Sequence, residues 1–254
     1  MSFLAHVFEW FTTSANWTGP QGIPTLFLHQ LELSVAVVLT AIVLGGGLGV
    51  VLGHTGRGGL VAVNAANAFR AVPTLALLTL LAIQPAISLK PGGSLSQWSG
   101  FLAAWLALTA LAIPPILTNT YVGMREVDAD VRDAAKAMGL TGGQVLRKVE
   151  APLALPFVMA GVRTASIEVV ATSTLAAYVS YTDLGTYVIT GLNTNDSVVA
   201  FSGALLVAAM AALVTLALSL LTRVLTPIPL RRTGRSRGLV TDPGLAQPAA
   251  TANI

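Results

Sequence analysis

The 254-residue chain contains no cysteine and few charged residues. Without cysteine it can form neither a disulfide nor a thiolate metal site. Charged residues make up 10% of the sequence and hydrophobic residues 54%, whereas a typical soluble domain is roughly 25% charged. This composition excludes an ordinary soluble domain and predicts a membrane protein.

Sequence signatures of nucleotide hydrolysis and of common hydrolases are also missing. The chain has no G-x-x-x-x-G-K-[ST] phosphate loop, no H-E-x-x-H and no G-x-S-x-G pattern. Its three histidines, His6, His29 and His54, do not have the spacing of metal ligands. We therefore expect no catalytic residue, bound metal or cofactor in this chain.

Five apolar stretches are long enough to cross a bilayer, which takes roughly 20 mainly apolar residues. They are Leu33–Leu52, Leu60–Ile87, Phe101–Val122, Leu153–Val179 and Val198–Leu225. Pro73 in the second stretch, and the Pro114–Pro115 pair in the third, are expected to kink their helices. The sequence predicts an all-α, polytopic membrane protein with five transmembrane helices.

The placement of Lys and Arg predicts the orientation, because these residues stay on the cytoplasmic side. Neither type occurs in residues 1–56 or 180–197, whereas both occur in 125–148 and arginines recur in 223–237. Only Lys90 lies in a predicted outer loop. We expect the N-terminus outside and the C-terminus in the cytoplasm.

Three segments follow from this topology. Residues 1–26 are rich in aromatic side chains and predict an extracytoplasmic interfacial segment. Residues 27–226 form the membrane domain. Residues 227–254 are rich in Arg, Gly, Pro and Ala, a composition that predicts a disordered cytoplasmic tail.

Ten of the charged residues lie between Arg125 and Glu150, in one predicted cytoplasmic loop. Within it, apolar and small residues recur at helical spacing between Asp128 and Met138 and predict one helical face. Two of them, Ala134 and Ala135, carry only a methyl group. We expect them to be exposed, so that another surface can approach the backbone closely.

A sharp corner is predicted directly after this helix. Gly139 is suited to the left-handed conformation that ends a helix. Thr141-Gly-Gly-Gln144 has the form of a capping box and predicts a second short helix running to about Val149. Pro152 would end this second helix or begin the fourth span.

The loop from Arg125 to Pro152 resembles the EAA loop of permease subunits of type I, binding-protein-dependent ABC importers. The family pattern is EAA, three residues, Gly, nine residues, then Ile-x-Leu-Pro. Here it reads Asp133-Ala134-Ala135, Gly139 and Val149-Glu150-Ala151-Pro152, with every interval kept. Asp133 replaces the usual glutamate, Val149 the isoleucine and Ala151 the leucine.

Further segments are similar to the glycine betaine and osmoprotectant branch of that family, over roughly Leu31 to Leu225. They are Arg70–Leu77, Ile113–Ile116 with Asn119–Tyr121, Ala160–Ala165 and Thr174–Ala177. The chain departs from the branch after span four, where Ser180–Asp183 replaces the usual glycine-rich turn.

The resemblance implies the permease subunit of a bacterial inner-membrane importer for an osmoprotectant such as glycine betaine, proline betaine, carnitine or choline. The loop 125–152 would couple it to cytoplasmic ATPase subunits, which would hold the ATP and Mg²⁺. The contact residues would be Asp133, Ala134, Ala135, Gly139 and Pro152. Other implied partners are a second permease subunit, identical or paralogous, and an extracytoplasmic substrate-binding protein; no nucleic acid is implied.

Two intramembrane features leave alternatives open. Glu168 lies near mid-depth of the fourth span, where a carboxylate faces either a partner or a cavity. Glu168 and Tyr178 are our candidates for the translocation path, with Arg70 and Arg163 placed nearer the cytoplasmic ends. Gly45, Gly49 and Gly53 permit close helix packing, either within the chain or across a subunit interface.

Two other functions remain open at this point. A permease of the same class for another small solute, such as an amino acid, would have the same coupling loop. A channel or membrane scaffold would work without ATP and without an ATPase partner.

Overall fold

The computed structural model describes residues 2–83 and 94–225. The regular elements of these two stretches are all helical. Lys90 and the predicted tail 227–254 lie outside them. The α-helices are α1 (Phe3–Thr12), α2 (Ile23–Ala41), α3 (Gly47–Thr55), α4 (Gly59–Phe69), α5 (Thr74–Ala82), α6 (Ser94–Arg125), α7 (Ala129–Ala137), α8 (Gly142–Val145), α9 (Ala151–Ser173), α10 (Gly185–Thr194) and α11 (Ser197–Leu225).

Four continuous helical stretches are long and apolar enough to cross a membrane: Ile23–Thr55, Trp98–Arg125, Gly142–Val179 and Ser197–Val224. Helices α4 and α5 pass the same test as a pair, but they are bent by 78°. The prediction of an all-α polytopic protein is confirmed, with four spans or, if the bent pair is one span, five. The expected kink at Pro73 is this break, whereas α6 continues through Pro114 and Pro115.

The first span begins at Ile23 rather than at the predicted Leu33, so the predicted boundary at residue 26 falls inside α2. Polar residues before Leu33 concealed this part of the helix. Gln30 is fully buried, and its Nε2 donates hydrogen bonds to the carbonyl oxygen of Val170 at 3.1 Å and to Ser173 Oγ at 3.0 Å. These bonds satisfy the buried amide nitrogen of Gln30, which makes its burial in a membrane helix tolerable.

Helix α6 lies at the centre of the bundle and packs against α2, α3, α4, α5 and α9. Its inward side consists largely of small residues, including Ala104, Ala107 and Ala112, all fully buried. Lipid is as apolar as a leucine side chain, so close van der Waals packing, rather than the hydrophobic effect, holds membrane helices together. Small side chains permit that close approach.

The three glycines of span one face α6 of the same chain. A Cβ on Gly49 would lie 2.8 Å from Thr120 Cβ, and one on Gly53 would lie 2.4 Å from Met124 Cβ. These distances leave no room for a methyl group. Of the two alternatives for the glycine face, the structure therefore supports packing within the chain.

The N-terminal aromatic segment forms α1, which packs on the rest of the chain. Phe3 makes an edge-to-face contact with Phe201 of α11, and Trp10 makes one with Tyr187 of α10. Helix α10 was not predicted, because 180–197 was interpreted only as an outer connection. The sequence feature that indicates this helix is the apolar run Tyr187–Ile189 between Gly185 and Gly191.

Candidate coupling loop and translocation path

The first helix of the charged loop forms as predicted. Asp128 is its N-cap, and its side-chain oxygen accepts a hydrogen bond from the backbone N–H of Asp130 at 3.0 Å. Asp130 lies in the first turn and Lys136 in the last turn, an arrangement that the helix dipole favours. Asp133 and Lys136 form an exposed ion pair of 3.1 Å, which contributes little to stability because water screens it.

The glycine corner also forms as predicted. Gly139 has a φ of +84°. Its N–H bonds the carbonyl of Lys136 at 2.8 Å, and the N–H of Leu140 bonds that of Ala135 at 3.2 Å. This pair of bonds is a Schellman motif, in which the left-handed residue turns the chain back on the helix end. The corner is therefore a defined structure rather than a loose connection.

The second short helix begins at the predicted capping box but does not end near Val149. Gln144 Oε1 accepts a hydrogen bond from the backbone N–H of Thr141 at 2.8 Å. Helix α8 continues through a π turn, Leu146–Glu150, into α9, where Pro152 lies in the first turn. Pro152 has no backbone N–H to continue the hydrogen-bonding pattern, and it lies at the junction where the π turn gives way to α9. The loop is thus joined rigidly to the fourth span.

The predicted exposure of the small-residue face is wrong at one position. Ala134 is exposed, as expected, but Ala135 is only 2% exposed. Helix α7 packs against α8 and the π turn, so Ala135 lies on the side that faces the chain itself. Met138, 75% exposed, extends the outer surface toward Gly139, and Pro152 is half-buried.

A buried ionic cluster supports the loop, and sequence reasoning missed it. Glu150 is 2% exposed. Its two carboxylate oxygens lie 2.6 Å from His54 Nδ1 and 2.9 Å from Arg132 Nε. His54 is 96 residues away in the sequence, so no local pattern links them. A single glutamate at the start of an apolar span was the only available signal.

Glu168 has a charged partner within the chain. A guanidinium nitrogen of Arg70 donates to Glu168 Oε1, and the two side chains are 37% and 31% exposed. Arg70 is therefore a partner of Glu168, although it was expected to lie nearer the cytoplasmic end. Because α4 ends at Phe69 and α5 leaves at 78°, Arg70 lies at the break and reaches α9. Of the two readings of Glu168, the pairing within the chain is the one seen.

The other oxygen of this carboxylate, Glu168 Oε2, is buried and has no hydrogen-bond partner among the described residues. Tyr178, the other candidate for the translocation path, lies in the 3-10 turn Thr174–Val179 and is 53% exposed. Among the residues that the structure describes, no hydrogen bond links Tyr178 to Glu168.

The segment Ser180–Asp183 is a tightly bonded turn. Tyr181 donates a hydrogen bond to the carbonyl of His29 at 2.7 Å, and His29 Nδ1 lies 3.0 Å from the carbonyl oxygen of Thr182. Asp183 Oδ1 accepts from the N–H of Gly185 at 2.9 Å. Burial raises the pKa of Asp183 to about 7, and the hydrogen bonds that its carboxylate accepts from backbone N–H groups only partly oppose the shift.

Most of the chain matches a known family. Residues 25–230 match the family model described as binding-protein-dependent transport system inner membrane component. The chain is 31% identical to the glycine betaine/carnitine/choline transport system permease protein OpuCB of Bacillus subtilis, over 78% of this chain and 86% of that one. It is 30% identical to the carnitine transport permease protein OpuCD of Listeria monocytogenes, over 91% and 97%. The osmoprotectant import permease protein OsmW of Salmonella typhimurium is 31% identical over 81% and 92%.

Solved structures share the fold. A subunit of the inward-facing methionine ABC transporter MetNI superposes with a TM-score of 0.66 at 24% identity, over 79% of this chain and 94% of that one. A chain of an amino acid ABC transporter superposes with a TM-score of 0.60 at 19% identity, over 88% and 97%. The chain therefore belongs to the family of binding-protein-dependent ABC importer permeases.

Proposed function

We propose that this permease forms the path for a small osmoprotectant of the glycine betaine, proline betaine, carnitine or choline class. The support comes from the relatives at 30–33% identity, whose names specify glycine betaine, carnitine, choline or osmoprotectant transport. The amino acid transporters among the solved neighbours are 19–24% identical, and their likeness is one of fold.

The observation that carries the proposed coupling role is the geometry of the loop. Helix α7 and the Gly139 corner stand exposed, while α8 continues without a break into α9. We infer that a cytoplasmic ATPase subunit binds Asp133, Ala134, Met138 and Gly139. Ala135 supports the surface from within, and Pro152 fixes the start of α9. Binding and hydrolysis of ATP, with its Mg²⁺, belong to the partner.

The proposed translocation path runs past Glu168 and Tyr178. Glu168 Oε2 is an acceptor without a protein partner among the described residues, and the Arg70 guanidinium lies beside it. Together they place a negative and a positive charge side by side inside the membrane. A solute with a quaternary ammonium and a carboxylate carries both complementary charges. Solute and ion paths are among the functions that ionisable residues within membrane spans serve.

The proposed orientation puts the loop in the cytoplasm. Gly56, at the end of α3, lies close to the Arg125 side chain at the end of α6, so Arg57 and the charged loop share one end of the bundle. The opposite end carries α1 and the turn after Val179, two segments without Lys or Arg. By the positive-inside rule the N-terminus is then outside, in the inner membrane of a bacterium.

A second permease subunit and an external binding protein complete the proposed importer. Helix α11 carries many large apolar side chains that the chain leaves exposed, among them Leu213, Leu216 and Leu220 at 52–57%. In the assembly these surfaces contact lipid or the second subunit. The external binding protein would deliver the solute to the outer end.

Reconstituted vesicles test the function. The permease, its ATPase and the binding protein are assembled with ATP inside, and uptake of labelled glycine betaine, carnitine, choline, methionine and histidine is compared. We expect ATP-dependent uptake of the first three. Uptake of an amino acid alone would support the other solute class, and flux without ATPase would support a channel. Stable assembly without any ATP-dependent uptake would support a scaffold.

A further inference from the structure

The ionic cluster around Glu150 joins the coupling loop to three membrane helices. His54 belongs to the last turn of α3 in span one, and Arg132 belongs to α7. Glu150 is the last residue of the π turn that leads into α9. The Arg132 guanidinium also donates to the carbonyl oxygen of Met124, near the end of α6. One buried contact thus gathers the ends of spans one, three and four.

The atoms of the cluster are paired by distance. Glu150 Oε2 lies 2.6 Å from His54 Nδ1, and an ionised carboxylate only accepts hydrogen bonds, so with Glu150 ionised this nitrogen is the donor. Arg132 is always charged and lies 2.9 Å from the other oxygen. Glu150 is 2% exposed and Arg132 is 16% exposed. A carboxylate so poorly hydrated depends on its partners, because water cannot replace them.

The cluster also spans the part of the chain that must transmit movement. Helix α7 carries the exposed surface proposed to bind the ATPase, and its main packing partners are short elements, α8 and the π turn. A π turn inside a helix often marks a functional site, and here it places Glu150 toward both α3 and α7. Without Arg132 and Glu150, the Gly139 corner would be the main connection between α7 and the fourth span.

We propose that Glu150 is a positioning residue that fixes α7 to spans one, three and four, so that displacement of the coupling loop moves these helix ends together. The inference rests on the proposed docking of an ATPase at α7. It assigns His54 and Arg132 to the same device. The exposed pair Asp133–Lys136, on the same helix, has no part in it.

The test uses the full complex in vesicles and measures solute taken up per ATP hydrolysed. Glu150→Gln keeps the size of the side chain and removes its charge. We expect this ratio to fall by roughly tenfold, within the range usual for coupling between two sites, while the ATPase still co-purifies. Glu9→Gln, the same change at an exposed glutamate of α1, should leave the ratio unchanged.

Two further variants keep the proposal open to refutation. His54→Gln changes a side chain that is 31% exposed and should lower the ratio in the same direction even if Glu150→Gln assembles poorly. In the double variant Glu150→Gln with His54→Gln, the second change should lower the ratio of uptake to ATP hydrolysis little further, because both residues act through one contact. A normal ratio in assembled Glu150→Gln or His54→Gln complex would overturn the proposal. A wild-type chain that never binds an ATPase would instead refute the proposed function.

Discussion

Gly139→Ala isolates the conformation of the coupling corner from its contacts. Gly139 has a φ of +84°, and a Cβ built there would meet no atom within 4 Å. The substitution therefore creates no clash, and its whole cost is the left-handed backbone. Gly143, in the same loop, also has open space around a built Cβ but no positive φ, so Gly143→Ala is the matched control.

The expected magnitude follows from the backbone. A left-handed L-residue costs about 1–2 kcal/mol, and 1.4 kcal/mol corresponds to roughly a tenfold change in an equilibrium constant. If the loop that has relaxed out of this conformation does not bind, the apparent affinity for the ATPase falls by about 5- to 30-fold. Gly139→Asn should lie between alanine and wild type, because asparagine tolerates this conformation better.

Binding of the purified ATPase to the permease in detergent or nanodiscs measures this affinity directly. We expect the order wild type and Gly143→Ala, then Gly139→Asn, then Gly139→Ala. Equal affinities for Gly139→Ala and Gly143→Ala would refute the claim that the left-handed corner shapes the docking surface. A thermal melt of each variant checks that the bundle itself stays folded.

Three other predictions follow from the membrane part and the outer turn. Glu168→Gln should impair transport more than assembly. Exchanging the pair as Arg70→Glu with Glu168→Arg should restore uptake if only the pairing matters. Unchanged uptake of a cationic solute by Glu168→Gln would exclude a role in the path. Gly53→Ala should lower thermal stability by about 1–3 kcal/mol through overpacking against Met124, and Gly47→Ala, where a Cβ meets nothing within 4 Å, should not; equal melting would contradict the α3–α6 packing. In the folded state the pKa of Asp183 is raised from 3.8 to about 7. The folded state therefore binds more protons than the unfolded state between these values, so stability should fall as pH rises from about 4 to 7. Asp183→Asn should remove this pH dependence in thermal melts across that range, and an unchanged slope would contradict the role of Asp183.

Local rules sufficed to predict the coupling loop. The N-cap at Asp128, the left-handed Gly139 and the capping box at Thr141 each depend on residues within one or two turns. The predicted end of the second helix failed, because proline is acceptable in the first turn of a helix as well as after its end. Nothing local distinguishes these two uses of Pro152.

Contacts between distant residues could not be predicted in the same way. Arg70 and Glu168 are 98 residues apart, and a straight second span gave no reason to pair them. Pro73 indicated a kink but not its angle of 78°. The burial of Ala135 likewise depends on how α7 folds back on α8, which helical periodicity does not specify.

A cysteine crosslink tests most directly whether α7 and the Gly139 corner dock on a cytoplasmic ATPase. The natural chain contains no cysteine, so a single introduced thiol reports one position. Met138→Cys places that thiol on the exposed loop surface, and Ser180→Cys places it at the opposite end of the bundle. With a thiol crosslinker added to the assembled complex, we predict that the Met138→Cys permease is linked to the ATPase and that the Ser180→Cys permease is not. Absence of a Met138→Cys crosslink from a complex that still contains the ATPase would show that α7 does not dock on it.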